Sequence, residues 1–305
     1  MKLYFFLFVF ALTLPKAVFS QDTLVIYFDK DWNEISNKEI AVYYRNAFVD
    51  SNKTWFVNDY FMSKQIQMSG TYKSKKLKIK HGNFTYYYEN GKVKSEGQYL
   101  NDKIERVWHY WYENGSQKSS GSFINNLKEG KWTFWYENGK IKSEGKYSKG
   151  NHEGDWIYYY DNGEKKAEGI YITNLAEGIW EYWHESGEKM AEGKFFNDNK
   201  EGIWNYWYTN GQIKNVETYI KGEITSIIGY FENGKINYKG DYIKGVKQGE
   251  WTYWNVDGRI FFKGAYTNGK QDGEWIRYFP DGEMKIFLVH GVPKSNVFGG
   301  IVLSK

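Results

Sequence analysis

Residues 129–150 read EGKWTFWYENGKIKSEGKYSKG, and this stretch decides the fold. Its centre, Asn138-Gly139, is typical of a two-residue type I′ hairpin turn, because Asn tolerates a positive φ and Gly adopts one without steric cost. Counting outward from that turn places Trp132 opposite Gly145. Since glycine has no side chain, we expect Gly145 to leave a hollow under the Trp132 indole.

The hairpin predicted from this turn has two chemically different faces, because side chains along a strand alternate in direction. The apolar face carries Trp132, Phe134, Tyr136, Ile141 and Tyr147. The mostly charged face carries Thr133, Trp135, Lys142, Glu144 and Lys146, with Trp135 opposite Lys142. The stretch therefore predicts an amphipathic β-hairpin.

The same hairpin recurs along most of the chain. Turn dipeptides of the Asn-Gly, Ser-Gly or Asp-Gly kind follow one another every 24 residues, with one step of 23, from Asn90-Gly91 to Asp281-Gly282. A fixed period of this size indicates a repeat array, and a lone two-stranded hairpin is marginal in water. We therefore predict an all-β fold, an elongated single-layer antiparallel β-meander of stacked hairpin repeats.

Two columns of residues are expected to hold the repeats together. The first is an inward tryptophan in most repeats: Trp108, Trp132, Trp156, Trp180, Trp204, Trp251 and Trp275. The second is a glycine on the returning strand: Gly97, Gly121, Gly145, Gly169 and Gly193. The seventh repeat departs from both columns, because Ile227 replaces the tryptophan and Glu217 the glycine. Its preceding link is also one residue short, and we expect a local irregularity or bend there.

Outside the array, the sequence predicts three further segments. Residues 1–20 resemble a secretory signal, with an apolar run too short for the roughly 20 residues that a spanning helix needs. Residues 21–56 form a β-rich cap with short strands at 23–28 and 40–44. The array covers 57–289, begins with a degenerate hairpin at 57–72 and ends with a strand at 284–289. Residues 290–305 are a tail, of which 297–303 are expected to cover the final edge.

The repeat pattern resembles a known family. In EGDWIYYYDNGEKKAEGIY (153–171) and EGIWEYWHESGEKMAEGKF (177–195), the spacing of Trp, Tyr, turn Gly and Glu-Gly is similar to MORN repeats, in the variant form common in bacterial exported proteins. The resemblance covers about 57–289. It implies an antiparallel meander with scaffolding, partner binding or, in some members, membrane attachment, and the bacterial variant is often described as antitoxin-like. It implies no fixed catalytic residues.

The chemistry of the chain favours a protein that is not an enzyme. The formal net charge is only +4, which gives no electrostatic case for nucleic acid binding. The chain has no cysteine and five histidines without metal-ligand spacing, and it lacks a phosphate loop, a serine elbow and a dinucleotide fingerprint. We predict no cofactor, no metal and no catalytic residue, and the sequence does not itself indicate contact with a membrane.

One feature exceeds what folding requires, an aromatic row on the mostly charged face. The row contains Tyr87, Trp111, Trp135, Tyr159, Trp183, Trp207, Tyr230, Trp254 and Tyr278. Lysines predicted to lie opposite these rings are Lys94, Lys118, Lys142, Lys166 and Lys214. One interpretation is that the lysine stems cover the rings through cation–π contacts; the other is a binding stripe.

Three functions remain open at this stage. The leading hypothesis is an exported repeat scaffold at the cell envelope that binds an unknown protein along its length. The second is an envelope glycan binder that stacks sugars on the aromatic row. The third is an antitoxin-like inhibitor of a toxin. Solvent exposure of the row separates the first two, because rings covered by lysine cannot stack a sugar.

Overall fold

The computed structural model of the chain describes residues 23–298, which separate into two units, one ending at Glu105 and one beginning at Arg106. The predicted signal at 1–20 and residues 299–305 lie outside the described residues. Among the residues described, the one helical segment is a single 3-10 turn, Lys38–Ile40, and no helix is long and apolar enough to cross a membrane.

The first unit is an antiparallel sheet. Its strands are β1 (Leu24–Phe28), β2 (Glu34–Ile35), β3 (Tyr43–Val49), β4 (Trp55–Phe61), β5 (Ile66–Tyr72), β6 (Lys80–Tyr87) and β7 (Val93–Leu100). Strand β1 pairs with both β2 and β3, and from β3 onward each strand pairs with the next. The degenerate hairpin predicted at 57–72 is present as β4 and β5. The strand predicted at 40–44 is wrong in its first half, where the 3-10 turn capped by Asn37 lies.

The second unit is a longer meander in which each strand pairs antiparallel with the next. Its strands are β8 (Lys103–Trp111, which begins just before the division), β9 (Gln117–Ile124), β10 (Leu127–Trp135), β11 (Ile141–Ser148), β12 (Asn151–Tyr159), β13 (Lys165–Ile172), β14 (Leu175–Trp183), β15 (Lys189–Phe196), β16 (Asn199–Trp207), β17 (Ile213–Ile220), β18 (Glu223–Tyr230), β19 (Ile236–Ile243), β20 (Val246–Trp254), β21 (Ile260–Thr267), β22 (Lys270–Phe279), β23 (Gly282–Val289) and β24 (Val292–Phe298). The predicted all-β antiparallel meander of hairpin repeats is confirmed, and β24 adds a strand beyond the predicted end at 289.

The turn at the centre of each repeat differs from the predicted type I′ turn. Gly139 has a φ of +85°, whereas Asn138 is not in the left-handed region. The Gly139 N–H donates to the Tyr136 carbonyl at 3.0 Å, which makes a type I turn followed by a left-handed glycine, the usual three-residue bulged hairpin. The bulge shifts the register by one residue, so that Trp135 pairs with Ile141 and not with Lys142.

Type I′ turns lie instead in the links between repeats. Lys149 and Gly150 both have positive φ values, 48° and 85°, and Ser148 pairs directly with Asn151 across them. The same conformation recurs at Thr173 and Asn174. The links are therefore hairpin turns in their own right, and the strands continue through them into one meander with two alternating turn types.

The core of each repeat is an indole seated on a glycine. The seven predicted tryptophans are all at most 4% exposed. Trp156 covers Gly145, and its Nε1–H donates to the Lys146 carbonyl at 3.0 Å. Trp132 covers Gly121 of the preceding strand in the same way. We expected the Trp132 indole to lie over Gly145, and this is wrong. Trp132 and Gly145 are paired in register, but Gly145 is covered by the tryptophan of the following strand, Trp156.

The seventh repeat keeps its strand pairing despite its altered residues. Glu217 pairs with Ile227, so that neither the indole nor the glycine that it requires is present. The link before this repeat is one residue shorter, and the bulge that follows it is smaller by one residue. This bulge leaves only Thr225 without a register partner, whereas the bulge opposite β11 leaves both Gly154 and Asp155 without one. The expected irregularity is therefore limited to a smaller bulge. In that repeat, Tyr238 instead covers Gly229.

Candidate functional site

The sheet of the second unit has two faces. The inner face carries the buried tryptophans, and the outer face carries the aromatic row.

The residues of the predicted row are half-buried in the structure. This holds for Tyr87 in the first unit and, in the second unit, for Trp111, Trp135, Tyr159, Trp183, Trp207, Tyr230, Trp254 and Tyr278. Trp183 lies under the Lys165 ammonium, 4.8 Å from the ring centre, and Trp207 lies under Lys189 at 5.7 Å. The row therefore has lysine cover at some positions, and its rings are only partly accessible.

The predicted lysines contact a different set of rings. Because the turn bulge shifts the register, Lys142 lies 5.6 Å from the ring of Tyr136, a residue predicted on the other face, and not over Trp135. The same shift places Lys94 over Tyr88, Lys118 over Tyr112, Lys166 over Tyr160 and Lys214 over Tyr208. The predicted pairing of these lysines with the row is therefore corrected to the tyrosines at the turns.

These turn tyrosines connect one repeat to the next. The Tyr136 hydroxyl donates to the Tyr159 carbonyl at 2.8 Å, and the Tyr160 hydroxyl donates to the Trp183 carbonyl at 2.8 Å. Beside them, the Asn138 amide donates to the Asp161 carbonyl at 2.8 Å. The turn edge of the sheet is thus a ladder of side chain to backbone hydrogen bonds, which accounts structurally for the tyrosine and the lysine above it.

The opposite edge has a second ladder. Glu153 accepts a hydrogen bond from the Thr173 N–H at 2.9 Å, 20 residues further along the chain. Glu129 accepts a hydrogen bond from the Lys149 N–H at 2.8 Å in the same manner. In a later repeat the acceptor is the side-chain carbonyl of Gln248, and the donor is the Asn268 N–H. The Glu-Gly pair that stands just before the inward tryptophan, as in Glu129-Gly130 and Glu153-Gly154, therefore fastens the next link, a role that the sequence analysis missed although the pair recurs.

The outer face also exposes aliphatic side chains that the sequence analysis did not single out. Ile179 and Ile203 are 59% and 62% exposed, at the repeat position directly before the buried tryptophan. At that position some other repeats carry a charged residue, such as Lys131 or Glu250. The exposed apolar residues of β13–β16 are called the aliphatic patch; five are aliphatic and one is a phenylalanine. They are Ile170, Ile172, Leu175, Ile179, Phe196 and Ile203.

Charges of both signs border the aliphatic patch. Lys189 binds two glutamates, Glu181 and Glu192, at 2.5 and 2.7 Å. Lys194 is exposed and pairs in register with Glu201 on the next strand. The patch is therefore an apolar surface with a border of both charge signs.

The first unit has a buried ion pair and a cavity. Arg45 binds Asp59 through two hydrogen bonds of 2.6 and 2.8 Å, and the carboxylate side chain is 3% exposed. The guanidinium also lies over the rings of Phe28 and Tyr72. A cavity of about 480 Å³ opens beside this pair. Arg45 lies on β3, outside the repeat array, and pairs in register with Asp59, so the repeat pattern gives no sign of this ion pair.

Within the described residues, no group of three or more His, Asp or Glu side chains is placed to hold a metal ion.

Comparison with known proteins then identifies the repeat. Four stretches match the family described as MORN repeat variant, at residues 80–101, 128–149, 153–172 and 200–221. The second of these covers the hairpin β10–β11 and the fourth covers β16–β17, each except for the first residue of its first strand. A search of curated proteins found no match to this chain.

Proposed function

Since this chain is a MORN-repeat protein, we propose that it is a non-enzymatic repeat scaffold that binds a protein partner through the outer face of its second unit. The aliphatic patch carries this proposal. Contiguous apolar surface of this kind is rare on monomeric soluble proteins and marks sites of interaction. Ile170 reaches over the next strand, to 4.0 Å from a β-carbon built on Gly178, so that the patch crosses strand boundaries.

A protein fits this surface better than a glycan does. Sugars bind proteins by stacking on open aromatic rings, and the rings of the row are half-buried, with Trp183 and Trp207 beneath lysines. In the aliphatic patch, Phe196 is a single exposed ring, and the five aliphatic side chains around it, Ile179 and Ile203 among them, offer none to a sugar. They suit the apolar side chains that form the buried core of a protein interface.

The border of the patch also bears on the chemistry of the partner. Lys194 is exposed there beside Glu201, and Lys189 is shared by Glu181 and Glu192. Complementary charge at the rim of an interface speeds association and selects partners. We expect the partner to present apolar side chains surrounded by charged side chains of both signs.

The test is capture of the partner from native envelope material with a patch variant. Ile179→Lys/Ile203→Lys places at both positions the residue type that Lys131 carries there naturally, so folding should be preserved. Glu250→Lys/Glu274→Lys adds lysine at the same repeat position outside the patch and is the matched control. The partner should be captured by the wild type and the control but not by the patch variant.

The captured protein is then purified and its affinity measured with the three chains. The proposal expects at least tenfold weaker binding to the patch variant only, the size of effect that truncating an interface hot spot produces. Equal affinity for all three chains, or a captured polysaccharide in place of a protein, would overturn it.

The location is part of the proposal. Residues 1–20 carry the pattern of a secretory signal. We expect the mature chain to begin near Gln21. N-terminal sequencing of the protein recovered from envelope and soluble fractions tests this, and an intact Met1 in the soluble fraction would contradict it.

A further inference from the structure

On the inner face of the second unit, several lysines lie in cages of three aromatic rings. The Lys128 ammonium is 4.4 Å from the ring centre of Trp132, 5.0 Å from that of Phe134 and 4.7 Å from that of Tyr147. A cation held over aromatic faces at these distances is attracted by their quadrupoles.

The same cage recurs in two other repeats. Lys200 lies 4.5, 5.2 and 4.9 Å from Trp204, Tyr206 and Tyr219. Lys247 lies 4.0, 5.4 and 5.1 Å from the corresponding three rings. Each of these lysines pairs in register with an aromatic residue of the preceding strand, as Phe195 pairs with Lys200. The cage therefore recurs at one fixed position of the repeat wherever that position is one of these lysines.

In the repeat of Ala176, the rings are present and a methyl group takes the place of the lysine side chain. Ala176 occupies the lysine position, since it pairs in register with Tyr171. The rings that follow it are Trp180, Tyr182 and Phe195. Trp180 lies 6.1 Å from Tyr182 at 27° and 6.1 Å from Phe195 at 88°.

These values match those of an occupied cage. Trp132 lies 5.8 Å from Phe134 at 26° and 6.0 Å from Tyr147 at 77°. The rings around Ala176 thus keep the arrangement that receives an ammonium elsewhere in the same chain. What the repeat lacks is the lysine side chain beyond its β-carbon, which is an n-propylammonium group.

We propose that Trp180, Tyr182 and Phe195 form a binding site for an alkylammonium group supplied from outside the chain. A carboxylate beside the cage adds to the preference for a cation, because Asp198 accepts a hydrogen bond from the Ala176 N–H. The site lies on the inner face and does not depend on the aliphatic patch.

The occupied cages also indicate which ammonium binds best. The rings lie within 5.2 Å of the Lys128 and Lys200 ammonium groups and take the place of water around them, and this burial lowers the pKa of both lysines. A quaternary ammonium is weakly hydrated and cannot lose its charge. It should therefore bind more tightly than a primary ammonium of similar size.

The experiment is an NMR titration of the full chain that follows the indole N–H of Trp180, which donates to the Ile170 carbonyl. The probes are tetramethylammonium, n-propylammonium and the neutral n-propanol. We expect saturable shifts with both cations and about tenfold weaker binding of n-propanol, as expected for loss of a desolvated cation–π contact. Equal binding of n-propanol, or no saturation with either cation, would overturn the proposal.

Two variants make the assignment specific. Ala176→Lys supplies the missing side chain and should abolish binding while the protein remains folded by circular dichroism. Lys128→Ala should create a second site at Trp132. Unchanged binding by Ala176→Lys would contradict the proposal, and Ile179→Lys/Ile203→Lys should leave binding of the cations unaltered whether or not the proposed function is correct.

The source of the ammonium is distinguished by a fourth probe. Nα-acetyl-lysine methylamide presents a lysine side chain as a protein would. We expect tetramethylammonium to bind more tightly, which assigns the site to a small quaternary ammonium compound. Tighter binding of the lysine derivative would assign the site to a lysine of a protein partner and would contradict the expected preference for a quaternary ammonium.

Discussion

The indole of Trp156 covers Gly145 so closely that a β-carbon built on the glycine would lie 2.2 Å from the ring. The same relationship links Gly121 to Trp132. Each repeat therefore supplies the glycine on which the next repeat seats its tryptophan. Where the tryptophan is absent, at Ile227, the glycine is absent as well, and Glu217 takes its place.

Gly145→Ala should destabilise the chain, because its methyl group cannot coexist with the Trp156 ring in its present position. Overpacking of this kind costs typically about 1–3 kcal/mol. Denaturant titration of the variant measures the loss in the free energy of unfolding.

The control for this prediction is the same change in a background without the indole. In Trp156→Ile, which imitates Ile227, the additional cost of Gly145→Ala should largely vanish. An equal cost in both backgrounds would mean that the alanine acts through the backbone and not through the ring.

The repeat and the inner core could be predicted from the sequence, because both depend on patterns with a fixed period. Trp132, Phe134 and Gly145 recur every 24 residues, and alternation along a strand fixes which side chains share a face. The turn could not be predicted in the same way. Asn138-Gly139 suits both a type I′ turn and a type I turn with a left-handed glycine, and the hydrogen bond from Asn138 to the neighbouring turn is a contact between repeats.

The lysine contacts were mispredicted for the same reason. A one-residue bulge next to the turn moves the partner of Trp135 from Lys142 to Ile141, and no local pattern reports it. The aliphatic patch was missed because the repeat period does not report exposure: the column of Ile172 and Phe196 is apolar in other repeats too, as at Ile124 and Ile220. Ile179 and Ile203 interrupt a column that is polar in the repeats of Lys131 and Glu250, and such an exception carries no periodic signal.

Thr173→Asn should stabilise the chain. Thr173 has a φ of +50°, which is costly for a β-branched residue, and the next link carries Asn197 at a φ of 48°. The left-handed region costs roughly 1–2 kcal/mol for most residues and less for Asn, so a gain of up to about 1 kcal/mol is expected. Thermal unfolding checks this. Thr173→Ala is the matched control, and a lower midpoint for the Asn variant would show that the threonine methyl makes a compensating contact.

Alkaline pH should unfold the second unit. Burial raises the pKa of Tyr182 to about 12, and burial with a hydrogen bond to Glu217 raises that of Tyr219 to about 12. In the unfolded chain both hydroxyls titrate near 10. Between pH 10 and 12 the folded chain therefore holds more protons, and the free energy of unfolding falls as pH rises.

Lys128 and Lys200 act in the opposite sense, because burial lowers their pKa. We expect the tyrosines to dominate, since more of them are shifted. Tyrosinate absorbance and circular dichroism should then change together above pH 10. Full ionisation of the tyrosines at pH 10 in a chain that keeps its strand signal would contradict this prediction, and Tyr182→Phe should reduce the pH dependence.

The central claim is that the inner face holds the fold together and that the aliphatic patch is free to bind. The most direct test is the free energy of unfolding of Ile179→Lys/Ile203→Lys, measured beside its affinity for the captured partner. The account predicts that the free energy of unfolding of this variant lies within about 0.5 kcal/mol of the wild-type value, as for ordinary surface substitutions, and that the variant no longer binds the partner. A loss of several kcal/mol in stability, or full stability with unchanged affinity, would contradict it.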